Sequence, residues 1–363
     1  MKRNKSMDIA KAIGIILVVI GHSDSPLRSF VYLFHMPLFF FISGYFYKDE
    51  YSDKPFKLIF KRLKSLYIPF VAYQMIFILL HNFFYKINIY SNNKFYGKLG
   101  INPINGNDAI QSLKHVLYFE RSEQLAGVFW FFTTLFIINV MFCLISFIIK
   151  RIVKGTMAQE FCRAIVVLIS FGVGDMCAVK NIHTPKKMEV AFVVLLFFYV
   201  GYLYRKYESA IKIKLPVCIL CLIALICTSF YATLSISTNE NINPLFLLTT
   251  SFMGIYLMMC ISKYIASINS EFKILKYIGG NTVAILCLHF LSFKIVNLIQ
   301  VVIYKYPSYR LAAYPTLSGA NGWWILYVLV GVFAPLLFQK AIIDNLKNIF
   351  KLSNHKKINK IQV

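Results

Sequence analysis

The chain has 363 residues, of which 58% are apolar and only 15% are charged, and its formal net charge is +24. Soluble domains carry about 25% charged residues, so this composition excludes a single soluble core and predicts an integral membrane protein. The 39 Lys and Arg residues lie mainly between apolar runs and form no compact basic domain, which argues against a nucleic-acid partner.

Apolar runs long enough to cross a bilayer, about 20 residues, recur along the whole chain. They predict an all-α polytopic protein with about ten transmembrane helices, at 8–25, 29–47, 66–86, 128–149, 162–179, 188–204, 213–234, 244–262, 279–304 and 321–343. Residues 1–343 then form one transmembrane domain, and residues 344–363 form a basic cytoplasmic tail. The first run is expected to be retained, because no small-residue cleavage site follows it.

The basic residues divide unevenly between the two sides of this predicted topology. One alternating set of connecting segments, which includes both termini, carries 26 Lys and Arg, and the other set carries 11. The side richer in Lys and Arg normally faces the cytoplasm. We therefore expect both termini to be cytoplasmic.

The first run, "KAIGIILVVIGHS", contains two ionisable residues among apolar ones, Lys11 and His22. At 100° per residue their spacing brings them within about 20° of one helix face and separates them by ~16 Å along the axis. Asp8 lies three residues before Lys11 and can pair with it. Ionisable residues inside a membrane usually face the bundle interior and mark a site, so this stripe is the first candidate for chemistry.

The second run carries His35 near its start. The short 22–35 connection returns the chain to a similar depth, so His35 is expected near His22. Histidine suits a general base because both of its protonation states are accessible near neutral pH. A single histidine on an apolar helix is more often hydrogen-bonded between helices, and it is the shared face with Lys11 that favours His22.

The stretch "KPFKLIFKRLK" (54–64) alternates cationic and apolar residues with helical spacing. It predicts either an interfacial helix that contacts anionic lipid headgroups or a set of cations, Lys61 and Arg62 among them, that bind the phosphates of a cytoplasmic donor. The polar segment 87–127 is expected to contain a short helix capped by Asp108. It is either an acceptor-recognition element or a plain connector.

Three later features complete the candidate sites. Trp130 is expected as an interfacial anchor, with stacking on a sugar ring as the alternative. Asp175 either binds acceptor hydroxyls or reaches the interface. In "GGNTVAILCLHF", His289 lies about ten residues into a rising helix, at the depth of the other two imidazoles, and Asn281 lies near its start.

The eight cysteines lie within or at the ends of apolar runs, where cysteine behaves as a small apolar residue. No disulfide framework is expected, and Cys218 and Cys221 are not expected to form a redox pair. No metal site is expected either, because no carboxylate or cysteine near the histidines has a recognisable ligand spacing.

Six segments appear in the order typical of one known family: "MDIAKAIGIILVVIGHS", "FHMPLFFFISGYFYK", "FKRLKSLYIPF", "VFWFFTTLF", "FFYVGYLYRK" and "IGGNTVAILCLHF". Together they resemble the membrane acyltransferase 3 family, particularly its branch of fucose 4-O-acetylases and polysaccharide O-acetyltransferases. That family commonly has Arg, ten residues and then His in its first helix. Here Lys11 occupies the Arg position, which keeps the charge but loses the bidentate fork of a guanidinium.

The resemblance implies an O-acyltransferase of the bacterial cytoplasmic membrane. It would move acetyl from cytoplasmic acetyl-CoA onto a sugar hydroxyl of an envelope glycan, with membrane lipids as its other partners. Lys11, Lys61 and Arg62 would hold the donor, and His22 or His35 would act as the base. The developing oxyanion would be stabilised by the other imidazole, or by His289, Asn281 or Tyr45. Direct transfer is expected, with a covalent route through Ser23 or Ser43 left open.

Two other classes of protein fit the same residues. A transporter or flippase for a lipid-linked glycan would use the intramembrane His and Lys as a proton or anion path. Inverted repeats with broken helices would favour that class, and none is visible in the sequence. A structural membrane subunit is the third class. The sequence does not identify the sugar, the hydroxyl position or the oligomeric state.

Overall fold

The computed structural model describes residues 4–93, 101–211, 213–238, 243–268 and 272–344, and every regular element within them is helical. Fifteen α-helices are present in this part of the chain. They are α1 (Lys5–His22), α2 (Arg28–Tyr32), α3 (His35–Tyr45), α4 (Glu50–Asp53), α5 (Pro55–Arg62), α6 (Ile68–Lys86), α7 (Gly106–Leu117), α8 (Trp130–Ile152), α9 (Thr156–Val179), α10 (Met188–Tyr207), α11 (Leu215–Ser229), α12 (Pro244–Ile268), α13 (Lys273–Gly280), α14 (Thr282–Ile303) and α15 (Trp323–Phe338).

Seven helical segments in the described residues are long and apolar enough to cross a membrane. They are Pro55–Lys86, Trp130–Ile152, Thr156–Val179, Pro185–Tyr207, Pro244–Ile268, Thr282–Ile303 and Trp323–Ala341. In the first of these, a π-helical turn (Leu63–Tyr67) joins α5 to α6 without a break. The shorter α11 is also apolar, and α1 carries three charged residues in its first seven positions. The chain is therefore an all-helical membrane protein.

The predicted helix 29–47 is divided into α2 and α3 by a break at Phe34, whose φ is −151°. Pro37 accounts for the position of the break, because a proline ring clashes with the carbonyl four residues earlier in a continuous helix. That carbonyl belongs to Leu33, and it accepts a hydrogen bond from the Ser251 hydroxyl at 3.4 Å instead. The break makes His35 the first residue of α3.

Helices α3 and α10 pack with unusually close backbones. A Cβ atom added to Gly44 would collide with the Phe198 carbonyl, and one added to Gly201 would collide with the Phe41 carbonyl. Small residues at such crossings allow helices to approach in a membrane. α1 lies centrally, in contact with α3, α12, α13, α14 and α15.

One end of the bundle gathers the start of α1 with the ends of α3, α8 and α10. Asn4 Nδ2 donates to the Tyr45 hydroxyl at 2.5 Å, and Tyr45 donates to Glu208 at 2.6 Å. Lys150 contacts Asp53 at 3.0 Å across the same end. We call this end the N-terminal face.

The other end, which we call the opposite face, gathers the residues that follow α1 with three later connecting segments. The Gly319 amide donates to Asp24 at 2.8 Å, and Lys187 donates to the Ser237 carbonyl and lies 5.7 Å from the Trp130 ring centroid. The predicted short helix of the 87–127 segment is α7. Its cap is Asn105, with Asp108 completing a reciprocal capping box.

One disulfide corrects the expectation from the cysteines. Cys218 of α11 is bonded to Cys260 of α12, with their Cα atoms 6.6 Å apart. The two helices are neighbours, and contacts between helices cannot be read from cysteine spacing. Cys221 is a free thiol, so the C-x-x-C pair is not itself bridged. Of the predicted tail 344–363, all but its first residue lies outside the described residues.

Candidate functional site

Three imidazoles predicted at one depth come together in the interior. The rings of His22 and His289 are stacked with their centroids 5.6 Å apart. His35 joins through Tyr32, whose ring lies 5.0 Å from His35 and whose hydroxyl lies 3.5 Å from His22 Nδ1. We call His22, Tyr32, His35 and His289 the imidazole cluster.

The hydrogen bonds of the two inner histidines define their tautomers. His35 Nδ1 lies 2.9 Å from the Val31 carbonyl, and His289 Nδ1 lies 3.0 Å from the Ile285 and Leu286 carbonyls. A carbonyl can only accept, so each Nδ1 carries a proton, and in the neutral imidazole each Nε2 then presents a lone pair. His289 Nε2 is buried and has no hydrogen-bond partner in the described part of the chain. It is therefore ready to accept a hydrogen bond from a ligand.

Access distinguishes His22 from the other two. His35 and His289 are 5% and 0% exposed, whereas His22 is only half-buried. Of the three imidazoles, His22 therefore has the most surface left for a substrate hydroxyl to contact. His22 is consequently the best candidate for the group that touches the reacting atoms.

Aromatic residues form the wall around the cluster on the α14 side. The Phe290 ring lies 5.1 Å from His22 and 4.3 Å from His289. Tyr314 packs on Phe290 at 4.9 Å. Burial raises the pKa of the Tyr314 hydroxyl above its ordinary value, and Arg121 partly opposes that effect. Tyr314 is therefore a neutral donor near the cluster.

A buried lysine, which the sequence did not single out as a site, holds Tyr314 in place. Lys294 of α14 is 3% exposed, and its Nζ donates to the carbonyls of Ala312 at 3.1 Å and Ala313 at 2.7 Å. Asn297, one helical turn later, donates to the Ala313 carbonyl at 3.0 Å. These bonds anchor the segment that carries Tyr314 against the middle of α14. The polar stripe at three-residue spacing in "KIVNLIQ" is the signal that could have revealed it.

The other end of the α1 stripe lies at the N-terminal face. α1 is helical without interruption from Lys5 to His22, so the predicted ~16 Å separation of Lys11 and His22 holds. Lys11 pairs with Asp8 at 3.5 Å, as predicted, and its ammonium lies 4.0 Å from the Phe46 ring centroid. The stripe thus connects a cation to an imidazole within the bundle.

Two further cations, Lys61 and Arg62, approach the same region from the end of α5. Lys61 donates to the Tyr51 hydroxyl at 2.5 Å. The Nε of Arg62 is buried and makes no hydrogen bond within the described residues. A buried polar group without a partner is costly, so Arg62 is suited to binding an acceptor group supplied by a ligand.

Three predicted site residues are not brought to the imidazoles. Tyr45 lies at the N-terminal face, ten residues and so ~15 Å along α3 from His35. Asn281 lies eight residues before His289, ~12 Å along the chain direction, and donates to the Tyr277 carbonyl. Asp175 is half-buried on α9, which packs on α8 and α10. None of the three is in contact with the cluster.

Trp130 lies at the start of α8 and lines a cavity of about 160 Å³ on the opposite face together with charged residues.

In the described residues, no group of three or more His, Cys, Asp and Glu side chains is placed to hold a metal ion. Tyr32 separates His35 from the stacked pair. The geometry at the cluster is that of an acid–base site.

The fold and the site define a helical membrane protein with clustered imidazoles at one end of the α1 stripe and cations at the other end. The sequence model of the acyltransferase 3 family, described as an acyltransferase domain, matches residues 4–339. The chain belongs to this family and is an acyltransferase. Comparison with curated proteins and with solved structures gave no match.

Proposed function

We propose that the protein is a membrane O-acyltransferase that transfers acetyl from cytoplasmic acetyl-CoA to a sugar hydroxyl of an envelope polysaccharide or its lipid-linked precursor. The observation that carries the proposal is the stripe on α1. Lys11 at the N-terminal face and His22 in the imidazole cluster lie on one continuous helix inside the bundle. A donor held at the first can present its acyl group at the second.

The orientation follows from the distribution of Lys and Arg. The N-terminal face belongs to the set of segments with 26 basic residues, and the opposite face to the set with 11, so the N-terminal face and both termini lie in the cytoplasm. About ten helices cross the bacterial cytoplasmic membrane when α1, the α2–α3 pair and α11 are added to the seven long segments. The opposite face then meets the envelope acceptor.

The cations at the N-terminal face suit the phosphates of acetyl-CoA. Lys61 and Arg62 follow one another at the end of α5, and the unpartnered Arg62 Nε can donate to a phosphate oxygen. Lys11 lies at the start of the path that the donor takes from the N-terminal face into the bundle. The pantetheine arm lies along α1 and carries the thioester towards His22.

At the cluster, His22 acts as the general base. Its neutral imidazole takes the proton of the acceptor hydroxyl as the hydroxyl oxygen attacks the thioester carbonyl carbon. The tetrahedral intermediate collapses by cleavage of the C–S bond, and the departing thiolate takes the proton from the imidazolium. The products are the sugar acetate ester and CoA.

The other members of the cluster position the reactants. His289 Nε2, a bare acceptor, receives a hydrogen bond from a neighbouring hydroxyl of the sugar, and the Tyr32 hydroxyl orients His22. His35 is the alternative base. Direct transfer is supported because Ser23 donates to the Ile20 carbonyl and Ser43 accepts from Asn139, so neither serine is paired with an imidazole.

The test uses purified protein in liposomes that enclose labelled acetyl-CoA, with acceptor oligosaccharide outside. Wild-type protein is expected to produce labelled, acetylated oligosaccharide, and His22→Ala is expected to abolish it. His183→Ala, which alters an exposed histidine between α9 and α10, serves as the matched control and should retain activity.

Two results of this assay contradict the proposal. Movement of the glycan across the bilayer without acetyl-CoA, and without acetylation, identifies a transporter or flippase. Acetylation that persists in His22→Ala removes His22 from the role of base.

A further inference from the structure

The cavity beside Trp130 on the opposite face is separate from the imidazole cluster and has its own chemistry. It is lined by Arg121, Lys186 and Lys187, by Glu120 and by the half-buried Trp130. The three cations come from two connecting segments that are distant in sequence. Such convergence of like charges around one aromatic ring is unfavourable unless it has a counter-charge to bind.

One carboxylate, that of Glu120, lines the cavity together with three cations, so the lining keeps a net positive charge. Glu120 pairs with His115 at 3.0 Å, on the side of α7. Arg121 uses one N–H to bond the Gly127 carbonyl at 2.9 Å, and a guanidinium has five such donors. In the part of the chain that the structure describes, no salt bridge joins Arg121, Lys186 or Lys187 to a carboxylate.

Trp130 supplies an apolar wall for a ligand in the same cavity. The Lys187 ammonium lies 5.7 Å from the indole centroid, a distance at which the ring face attracts a cation. A pyranose ring has an apolar C–H face and an edge that carries its polar substituents. It can place the face on Trp130 and direct an anionic substituent to the cations.

A short series of side-chain contacts connects the cavity to the imidazole cluster. Arg121 bonds Gly127, and a Cβ atom added to Gly127 would collide with the Tyr314 hydroxyl. Tyr314 packs on Phe290, and Phe290 packs on His22. A saccharide bound at Trp130 therefore lies within a few side chains of the reacting hydroxyl.

We propose that this cavity binds an anionic sugar unit of the acceptor, one that carries a carboxylate or a phosphate, beside the unit that is acetylated. The inference rests on the proposed function, and it adds the class of acceptor that this enzyme prefers. Arg121 and Lys186 contact the oxyanion, Lys187 holds Trp130, and Trp130 packs on the ring.

The experiment measures binding by calorimetry, with the protein in nanodiscs of zwitterionic lipid. The probe is an oligosaccharide of hexuronic acid, and its carboxyl-reduced counterpart is the matched neutral ligand. We expect the uronate form to bind at least 10-fold more tightly and its affinity to fall with added salt. Lys186→Gln, at an exposed residue, should lower that affinity about 10-fold, and Arg121→Gln should do the same.

Lys180→Gln is the matched control, because Lys180 is exposed on the same side of the protein and does not line the cavity. It should leave both affinities unchanged. Neither Gln variant at the cavity should alter binding of the carboxyl-reduced ligand.

Equal affinity for the two ligands overturns the inference, and so does an affinity that Lys186→Gln and Arg121→Gln both leave unchanged. If the variants instead reduce co-purification of anionic phospholipid and leave oligosaccharide binding as it was, the cavity holds a lipid headgroup and the inference is wrong. The proposed function is tested separately, by measuring acetyl transfer to each ligand. Equal transfer to both ligands sustains the proposed function and contradicts the inference, whereas uronate binding without any transfer shows an anionic-sugar site but contradicts the proposed function and, with it, the acceptor role of the site.

Discussion

The N-terminal face and the imidazole cluster both place polar groups inside an apolar bundle, but the partners that these groups contact differ between the two regions. At the N-terminal face, cations contact side chains from other helices, as Lys61 does with Tyr51 and Lys150 with Asp53. In the cluster, His35 and His289 bond carbonyls three or four residues earlier in the chain, and His289 Nε2 has no hydrogen-bond partner within the described residues. The first arrangement holds charge, and the second presents neutral bases. A reaction that binds an anionic donor and deprotonates an alcohol requires both.

The largest effect that the comparison predicts follows from His22→Ala. General-base catalysis contributes roughly 10²–10⁴ to a rate, so kcat for acetyl transfer should fall about 1000-fold. Binding of acetyl-CoA, which depends on the N-terminal face, should change by less than about 2-fold. Steady-state transfer and equilibrium binding of the donor provide the two measurements. A parallel loss of donor binding would show that the two regions are not separable.

The second-largest effect is predicted for His289→Gln, in which the new side chain is similar in size to histidine. It removes the unpartnered Nε2 acceptor, and a buried sugar hydroxyl left without its hydrogen-bond partner costs about 1–3 kcal/mol. The kcat for transfer should therefore fall roughly 10–100-fold, with donor affinity unchanged. His183→Gln, at an exposed histidine between α9 and α10, is the control for substitution of a histidine by glutamine. An activity equal to that of the wild type would remove His289 from the site.

Arg62→Gln tests the other region. Loss of a charge-assisted hydrogen bond to phosphate should raise KM for acetyl-CoA about 10-fold and leave kcat nearly unchanged. Lys54→Gln, at an exposed cation one residue before α5, should have no effect on KM. A fall in kcat with no change in KM would assign Arg62 to the chemistry instead of to donor binding.

The smallest predicted effect is that of Lys11→Arg. The charge is kept and the planar guanidinium can still pair with Asp8, so KM for acetyl-CoA should stay within about 3-fold of the wild-type value. Lys11→Met removes the charge and should raise KM more, by an amount similar to that of Arg62→Gln. Equal KM values for Lys11→Met and the wild type would exclude Lys11 from the donor site.

The sequence predicted the features that follow from the position of a residue along a helix axis. The spacing of Lys11 and His22 and the pairing of Asp8 with Lys11 follow from helical periodicity, and both are confirmed. The meeting of His22 with His289 was predicted from depth and is also confirmed. In each case the position along a helix axis is enough to determine the result.

The features that the sequence did not predict depend on contacts between helices or on connecting segments. The break at Phe34, the Cys218–Cys260 bond and the anchoring of Tyr314 by Lys294 all join residues that periodicity does not relate. Tyr45 is on the expected helix and Asn281 lies directly before α14, yet both lie at the wrong depth to meet the imidazoles. The order of the family's sequence segments along the chain does not determine how deep each of these residues lies in the bundle.

The most direct test of the whole account is a structure of the protein with acetyl-CoA bound. We predict that the phosphates lie beside Lys61 and Arg62, that the arm follows α1 past Lys11, and that the thioester carbon lies next to His22. A donor bound at the opposite face, or a thioester that remains outside the bundle and remote from the imidazoles, would contradict it.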